Sequence, residues 1–195
     1  TYEGAVELTY SSWNGWEPNN SGNNEHHAHL TGCGAVWNDH TENQQFRHIM
    51  ETTINYGEIS NYTYIGTYGS SYYYLSTTTD GWNNSRATAE SNGGWLVSLE
   101  TSEENSSVNT FRTAITCDAT WIGLYQDFSS PSYSEPTGGW GWVSPNGGLT
   151  GFGIEPNLST NSSLNLNYWT GATIEFEKCD YADPSTSGDY ISENL

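Results

Sequence analysis

Apolar residues alternate with polar ones in short runs along this chain, and the runs end at Gly, Asn, Ser or Pro. EHHAHLT (25–31) and AVWND (35–39) read as two extended strands around the turn TGCG, and QQFRHIM (44–50) as a third. After the polar connector TTINYGEISN, two aromatic runs at 62–66 and 71–76 predict a hairpin across GTYGS. The period then changes. TDGWNNSRATAESNGG predicts a helix with Thr79 or Asp80 as cap, Gly93 as stop, and Trp82 and Ala89 facing inward. ETSEENSSVNTFRTA predicts a second, with Thr101 and Glu104 at capping-box spacing and Val108 and Phe111 on one face. GWLVSLE between them, TWIGLYQD (120–127) and GWGWVS (139–144) read as further strands. From 145 to 195 Gly, Asn, Ser and Pro dominate, and only NYWTGATIEFE offers a strand, so this region reads as a long loop or insertion. The class is α+β, mostly sheet and loop.

Composition supports a folded domain. Among 195 residues, nine Trp and 14 Tyr supply the burial that a 34% hydrophobic chain would otherwise lack. The net charge of -19 makes nucleic acid a poor partner and fits either simple solubility or the holding of a hard cation. No run approaches the roughly 18 apolar residues of a membrane helix. The start at Thr1 without Met suggests a mature product or one segment of something longer. Cys33, Cys117 and Cys179 allow one internal disulfide at most, without metal-type spacing. Asn-x-Ser/Thr acceptors stand at Asn19, Asn61, Asn83, Asn105, Asn157 and Asn161; they permit glycosylation of a secreted chain without showing it.

The order helix, Gly93-Gly94, Leu96-Val97-Ser98, Glu103-Glu104-Asn105, Trp121-Ile122-Gly123-Leu124, then Trp140 and Trp142 resembles the first half of a C-type lectin-like domain. Glu17-Pro18-Asn19, a later acid at Glu25, and Trp37-Asn38-Asp39 resemble the second half. The halves stand in reversed order. The resemblance therefore divides the chain into a C-terminal half at 1–50, a linker at 51–61, an N-terminal half at 62–144, and an insertion or connection to a next repeat at 145–195. Two arrangements follow from it. In one, a circularly permuted domain closes on itself; in the other, the halves belong to successive domains completed by a neighbouring chain or repeat.

In that family, EPN, the later acid and WND make a sugar-binding calcium site with a cis proline. The resemblance implies Glu17, Asn19, Glu25, Asn38 and Asp39 as Ca²⁺ ligands, with Glu17, Asn19, Glu25 and Asn38 also meeting the sugar. Carboxylate and amide oxygens suit an ion that takes roughly six to eight oxygen ligands. The EPN order implies mannose-type glycans. The expected function is thus a non-enzymatic, calcium-dependent carbohydrate-binding module, extracellular or at the cell surface, as a repeat unit of a larger assembly. The alternative is a structural subunit of an extracellular fibre, linked by exchange of half-domains. The sequence departs from the family at His27, where a cysteine is usual, and in the first helix, which also lacks its cysteine; His26 and Asn20 replace acids that often help a second calcium. An Asn19 that ligates calcium would carry no glycan, which leaves Asn61, Asn83, Asn105, Asn157 and Asn161 as possible glycosylation sites.

Weaker candidates are outweighed by plainer readings. His26, His27 and His29 could bind zinc but fit a polar strand face; a second EPN at Glu155 lacks the following acid and WND; the acids of TIEFEKCDYADP fix no catalytic separation. Trp13 reads as core, and Trp16 as a ring that could stack on a sugar.

Overall fold

The structure is a computed structural model that describes residues 6–143, with the side chains of 8–143. The strand expected in NYWTGATIEFE, the second EPN, the acids near Cys179, and the region 145–195 lie outside the described residues, as do Asn157 and Asn161.

Nine strands and two α-helices are present among the described residues: β1 (Val6–Glu7), β2 (His27–Leu30), β3 (Trp37–His40), β4 (Arg47–Thr52), β5 (Tyr62–Tyr68), β6 (Ser71–Ser76), α1 (Trp82–Ser91), β7 (Trp95–Leu96), α2 (Ser102–Thr113), β8 (Thr120–Gln126) and β9 (Trp140–Trp142). The class is mixed α+β. The sheet runs β1-β9-β8-β4-β6-β5, with β2 also on β8, β3 on β2 and β7 on β4. Most pairs are antiparallel; β4 and β8 run parallel, with Arg47 opposite Thr120. The two-residue β1, pairing Val6 with Trp142, has no counterpart in the sequence pattern.

This pairing joins the two segments within one chain. Strand β2 lies antiparallel on β8, β4 sits between β8 and β6, and β1 borders β9. The strands beside Trp121 and Trp140 therefore come from the same polypeptide. The linker expected at 51–61 starts late, because Glu51 and Thr52 still pair with Tyr73 and Tyr72.

The core is built from two apolar clusters. One gathers Leu30, Trp37, Ile49, Tyr73, Val97, Val108, Ile122 and Trp142; the other gathers Met50, Tyr74, Trp82, Leu96 and Trp121. Buried indoles need an acceptor for N–H, and most have one. Trp82 donates to Ile122 O at 2.8 Å, Trp121 to Asp80 O at 3.0 Å, and Trp37 to Asn105 Oδ1 at 3.1 Å. Close backbone packing explains Gly123, where a Cβ would lie 2.5 Å from Leu96 O. Gly66 is similar: a Cβ there would meet the Phe111 ring of α2 at 2.7 Å.

The helix ends follow the pattern with one change each. Thr101 Oγ1 accepts from Glu104 N at 3.1 Å as expected, but the Glu104 carboxylate reaches back to Glu100 N rather than to the capping residue. At α1 the cap position is Gly81, one residue later than expected, and no side chain caps the helix. Asp80 instead accepts from Gly81 N and Asn84 Nδ2, so it still neutralises donors of the first turn.

One disulfide joins Cys33, in the β2–β3 turn, to Cys117, after α2. Arg112 reinforces the same corner. Its fully buried guanidinium donates to Gly32 O, Asp118 O and Asn109 Oδ1, and burial lowers its pKa to about 10, which leaves it charged at neutral pH.

Candidate functional site

Residues 10–25 form a loop pinned to the start of β3. Trp37 N donates to Ser12 O and Asn14 N to Trp37 O, both at 2.8 Å, so the chain runs beside β3 for three residues. Trp13 packs edge-on against Trp37 and Trp140, with ring centres 5.8 and 4.8 Å away, as its expected core role requires. The chain turns at Gly15, where φ is +46°, and Glu17 N closes that turn on Asn14 O. Trp16 is thereby thrown outward, 95% exposed. The Glu17–Pro18 bond is cis, and Pro18 is buried.

Asp39 organises the far side of the loop. Fully buried, it accepts from Asn19 N at 3.2 Å through one oxygen and from Asn20 N at 2.7 Å through the other. Glu25 folds back likewise, accepting from Ser21 N at 2.8 Å, while Glu25 N donates to Asn20 Oδ1 at 3.0 Å. Asn20 holds a left-handed conformation, φ +48°, which asparagine tolerates better than most residues and which opens the short 3₁₀ turn Ser21–Asn23.

Glu17, Glu25 and Asp39 are close enough to sense one another. Burial raises the Glu17 pKa, and the adjoining Asp39 carboxylate and the Glu25 charge raise it further. Burial also raises that of Glu25, with Asp39 adding to the effect. Glu17 Oε2 is shut off from solvent and has no hydrogen-bond partner. An oxygen of this kind is expensive to bury, and its chemistry is that of an acceptor lacking a donor or a cation. Among the described residues, no three His, Cys, Asp or Glu side chains form a ready-made metal cage. The carboxylate oxygens of Glu25 and Asp39 are turned onto backbone N–H groups instead.

Of the five expected ligands, Glu17, Asn19, Glu25 and Asp39 gather in this loop. Asn38 stands beside Asp39 on β3. In register, Asp39 is opposite Ala28 and Asn38 opposite His29. The Asn38 amide accordingly meets His29 Nε2 at 3.3 Å and Asp39 O.

A fourth acid joins from the other segment. Glu135 Oε2 accepts from Asn20 Nδ2 at 2.7 Å, and Oε1 accepts from the Tyr133 hydroxyl at 2.7 Å. His26 Nδ1 lies 3.6 Å from the same carboxylate. The sequence signal was a second Glu-Pro pair, Glu135-Pro136, whose bond is also cis.

The histidine group serves packing. His27 stacks on Trp82 with centres 4.5 Å apart, and His29 lies between Phe46 and Trp121. Burial depresses His27 to about 3 and His29 to about 4, so both are neutral at physiological pH.

The glycosylation candidates separate by exposure. Asn61 and Asn83 are exposed. Asn105 is 1% exposed and donates to Ala35 O at 2.7 Å from the inner face of α2.

No protein-family model, curated protein or solved structure matches this chain. Among the described residues no helix is long and apolar enough to cross a membrane.

Proposed function

We propose that this chain is a calcium-dependent carbohydrate-binding module, acting outside the cell or at its surface on mannose-type glycans. The observation that carries the reading is the buried, partnerless Oε2 of Glu17 within a loop that also holds Glu25, Asp39 and Asn19. Three mutually repelling carboxylates and a neighbouring amide are the donor set of a hard divalent ion. Relief of that repulsion would be the driving force for binding.

Glu17, Glu25 and Asp39 would hold the ion with Asn19. When bound, calcium supplies coordination positions that adjacent sugar hydroxyls can occupy. The protein's part is then positional. Ionised Glu17 and Glu25 accept hydroxyl hydrogens, the Asn19 amide donates to hydroxyl oxygens, and the Trp16 ring stands outward beside them as an apolar face. Asp39 keeps the loop in shape by gripping Asn19 N and Asn20 N, and Glu135 braces it from the second segment through Asn20.

Calorimetric titration with methyl α-mannopyranoside tests this reading. Heat of binding in millimolar calcium that disappears with EDTA supports it. Equal heats under both conditions, or none with calcium present, would refute it.

A further inference from the structure

A second cleft lies on the other side of β2, where the loops after β3 and β8 meet the start of α1. It encloses about 560 Å³, within the roughly 300–1,000 Å³ of small-molecule pockets. One wall is aromatic: Tyr125 and Phe128, the latter 60% exposed, with its ring against His26 at 4.7 Å. The facing wall is polar. There Asn83 Nδ2 donates to Glu42 Oε2 at 2.6 Å, setting an amide and a carboxylate side by side.

His27 lines this cleft too, its ring held against Trp82 with centres 4.5 Å apart. Charge narrows the ligand class. The lining includes two acids, Glu42 and Asp127, and no lysine or arginine. An anionic ligand would be repelled, whereas an uncharged one carrying hydroxyls could meet the Glu42–Asn83 pair.

We infer that this cleft is a second, calcium-independent binding site for a neutral saccharide of one or two rings, laid with its C–H face on Phe128 and its hydroxyls toward Glu42 and Asn83. Asn24 of the Glu17 loop also lines it, but the site needs no ion there, so a test in EDTA reads it separately from the calcium-dependent reading. Two sites of this kind on one chain would let weak contacts to a single glycan add through effective concentration.

Saturation-transfer NMR on the full chain, made in a host that adds no glycan and kept in EDTA throughout, tests the inference. The probes are cellobiose, chitobiose and glucuronate. At least one neutral disaccharide is expected to give ring-proton signals while glucuronate gives none. Phe128→Ser, an exposed change, is expected to weaken that binding about tenfold, and Tyr64→Ser, exposed on β5, to leave it intact. Glu42→Gln serves as a second variant, with a similar loss expected. Silence from both disaccharides, a stronger signal from glucuronate, or full binding in both Phe128→Ser and Glu42→Gln would overturn the proposal.

Discussion

The indole nitrogen of Trp37 donates to the side-chain oxygen of Asn105 at 3.1 Å, bridging 68 residues and joining the strand that carries Asp39 to helix α2. The other end of the Asn105 amide donates to Ala35 O at 2.7 Å and to the Tyr10 hydroxyl at 3.2 Å. One buried side chain thus fastens the first segment to the second at three points. Asn105→Ala leaves the Trp37 indole N–H without its acceptor and takes one of two donors from Ala35 O, which keeps Ser12 Oγ, and a loss of about 2–4 kcal/mol is expected in urea unfolding. Mass spectrometry of the chain expressed in a glycosylating host should find no glycan at Asn105.

The disulfide makes a second cross-link between the segments. Cys33 and Cys117 are 84 residues apart, so the bond removes much loop-closure freedom from the unfolded chain. The double change Cys33→Ser, Cys117→Ser should lower stability by about 3–5 kcal/mol in guanidinium unfolding. An unchanged midpoint would show that Arg112 and its carbonyl partners hold this corner unaided.

Glu51 links stability to pH. It is 7% exposed, accepts from Ser71 Oγ, Trp95 Nε1 and Ser98 N, and is pushed up to about 7 by burial. A folded-state value above the unfolded 4.5 means that its contribution is complete below about 4.5 and is lost as pH rises through about 7. Glu51→Gln preserves the hydrogen-bond pattern of the neutral acid, so its stability relative to the unaltered protein should climb from pH 4.5 to 8. The buried histidines act in the opposite sense. His27, His29 and His48, depressed to about 3, 4 and 4 by burial, cost stability as pH falls below 6.5, and that acid limb should persist in Glu51→Gln. Urea midpoints across pH 4.5–8.5 check both; parallel curves for the two proteins would contradict the assignment.

Much of this architecture was legible in residue order. Short extended or alternating runs between turn residues marked β2, β3, β5 and β6, and Thr101 with Glu104 marked the start of α2, because these features depend on neighbours in sequence. What the sequence hid depends on partners far along the chain. The short β1 exists because β9 offers it an edge, and Asp80 lost its capping place because Trp82 N is drawn to Glu42 O at 2.8 Å. The site divides in the same way. Glu17, Glu25 and Asp39 were visible as acids at suggestive spacing, whereas the contact of Asn38 with His29 follows from the register of β3 on β2, and the arrival of Glu135 from the pairing of β8 with β2.

Trp16 separates sugar contact from metal contact. At 95% exposure it supports no packing, so Trp16→Ala should leave the melting temperature and calcium affinity unchanged while weakening methyl α-mannopyranoside binding about tenfold. Parallel calorimetric titrations of ion and sugar measure the split.

Calcium titration of the full chain by calorimetry, beside Glu17→Gln, reaches the core of the account most directly. One ion per chain is expected at the Glu17 loop, with affinity at least about tenfold weaker once the Glu17 charge is removed. No calcium-dependent heat from the unaltered chain, or equal affinity in Glu17→Gln, would contradict it.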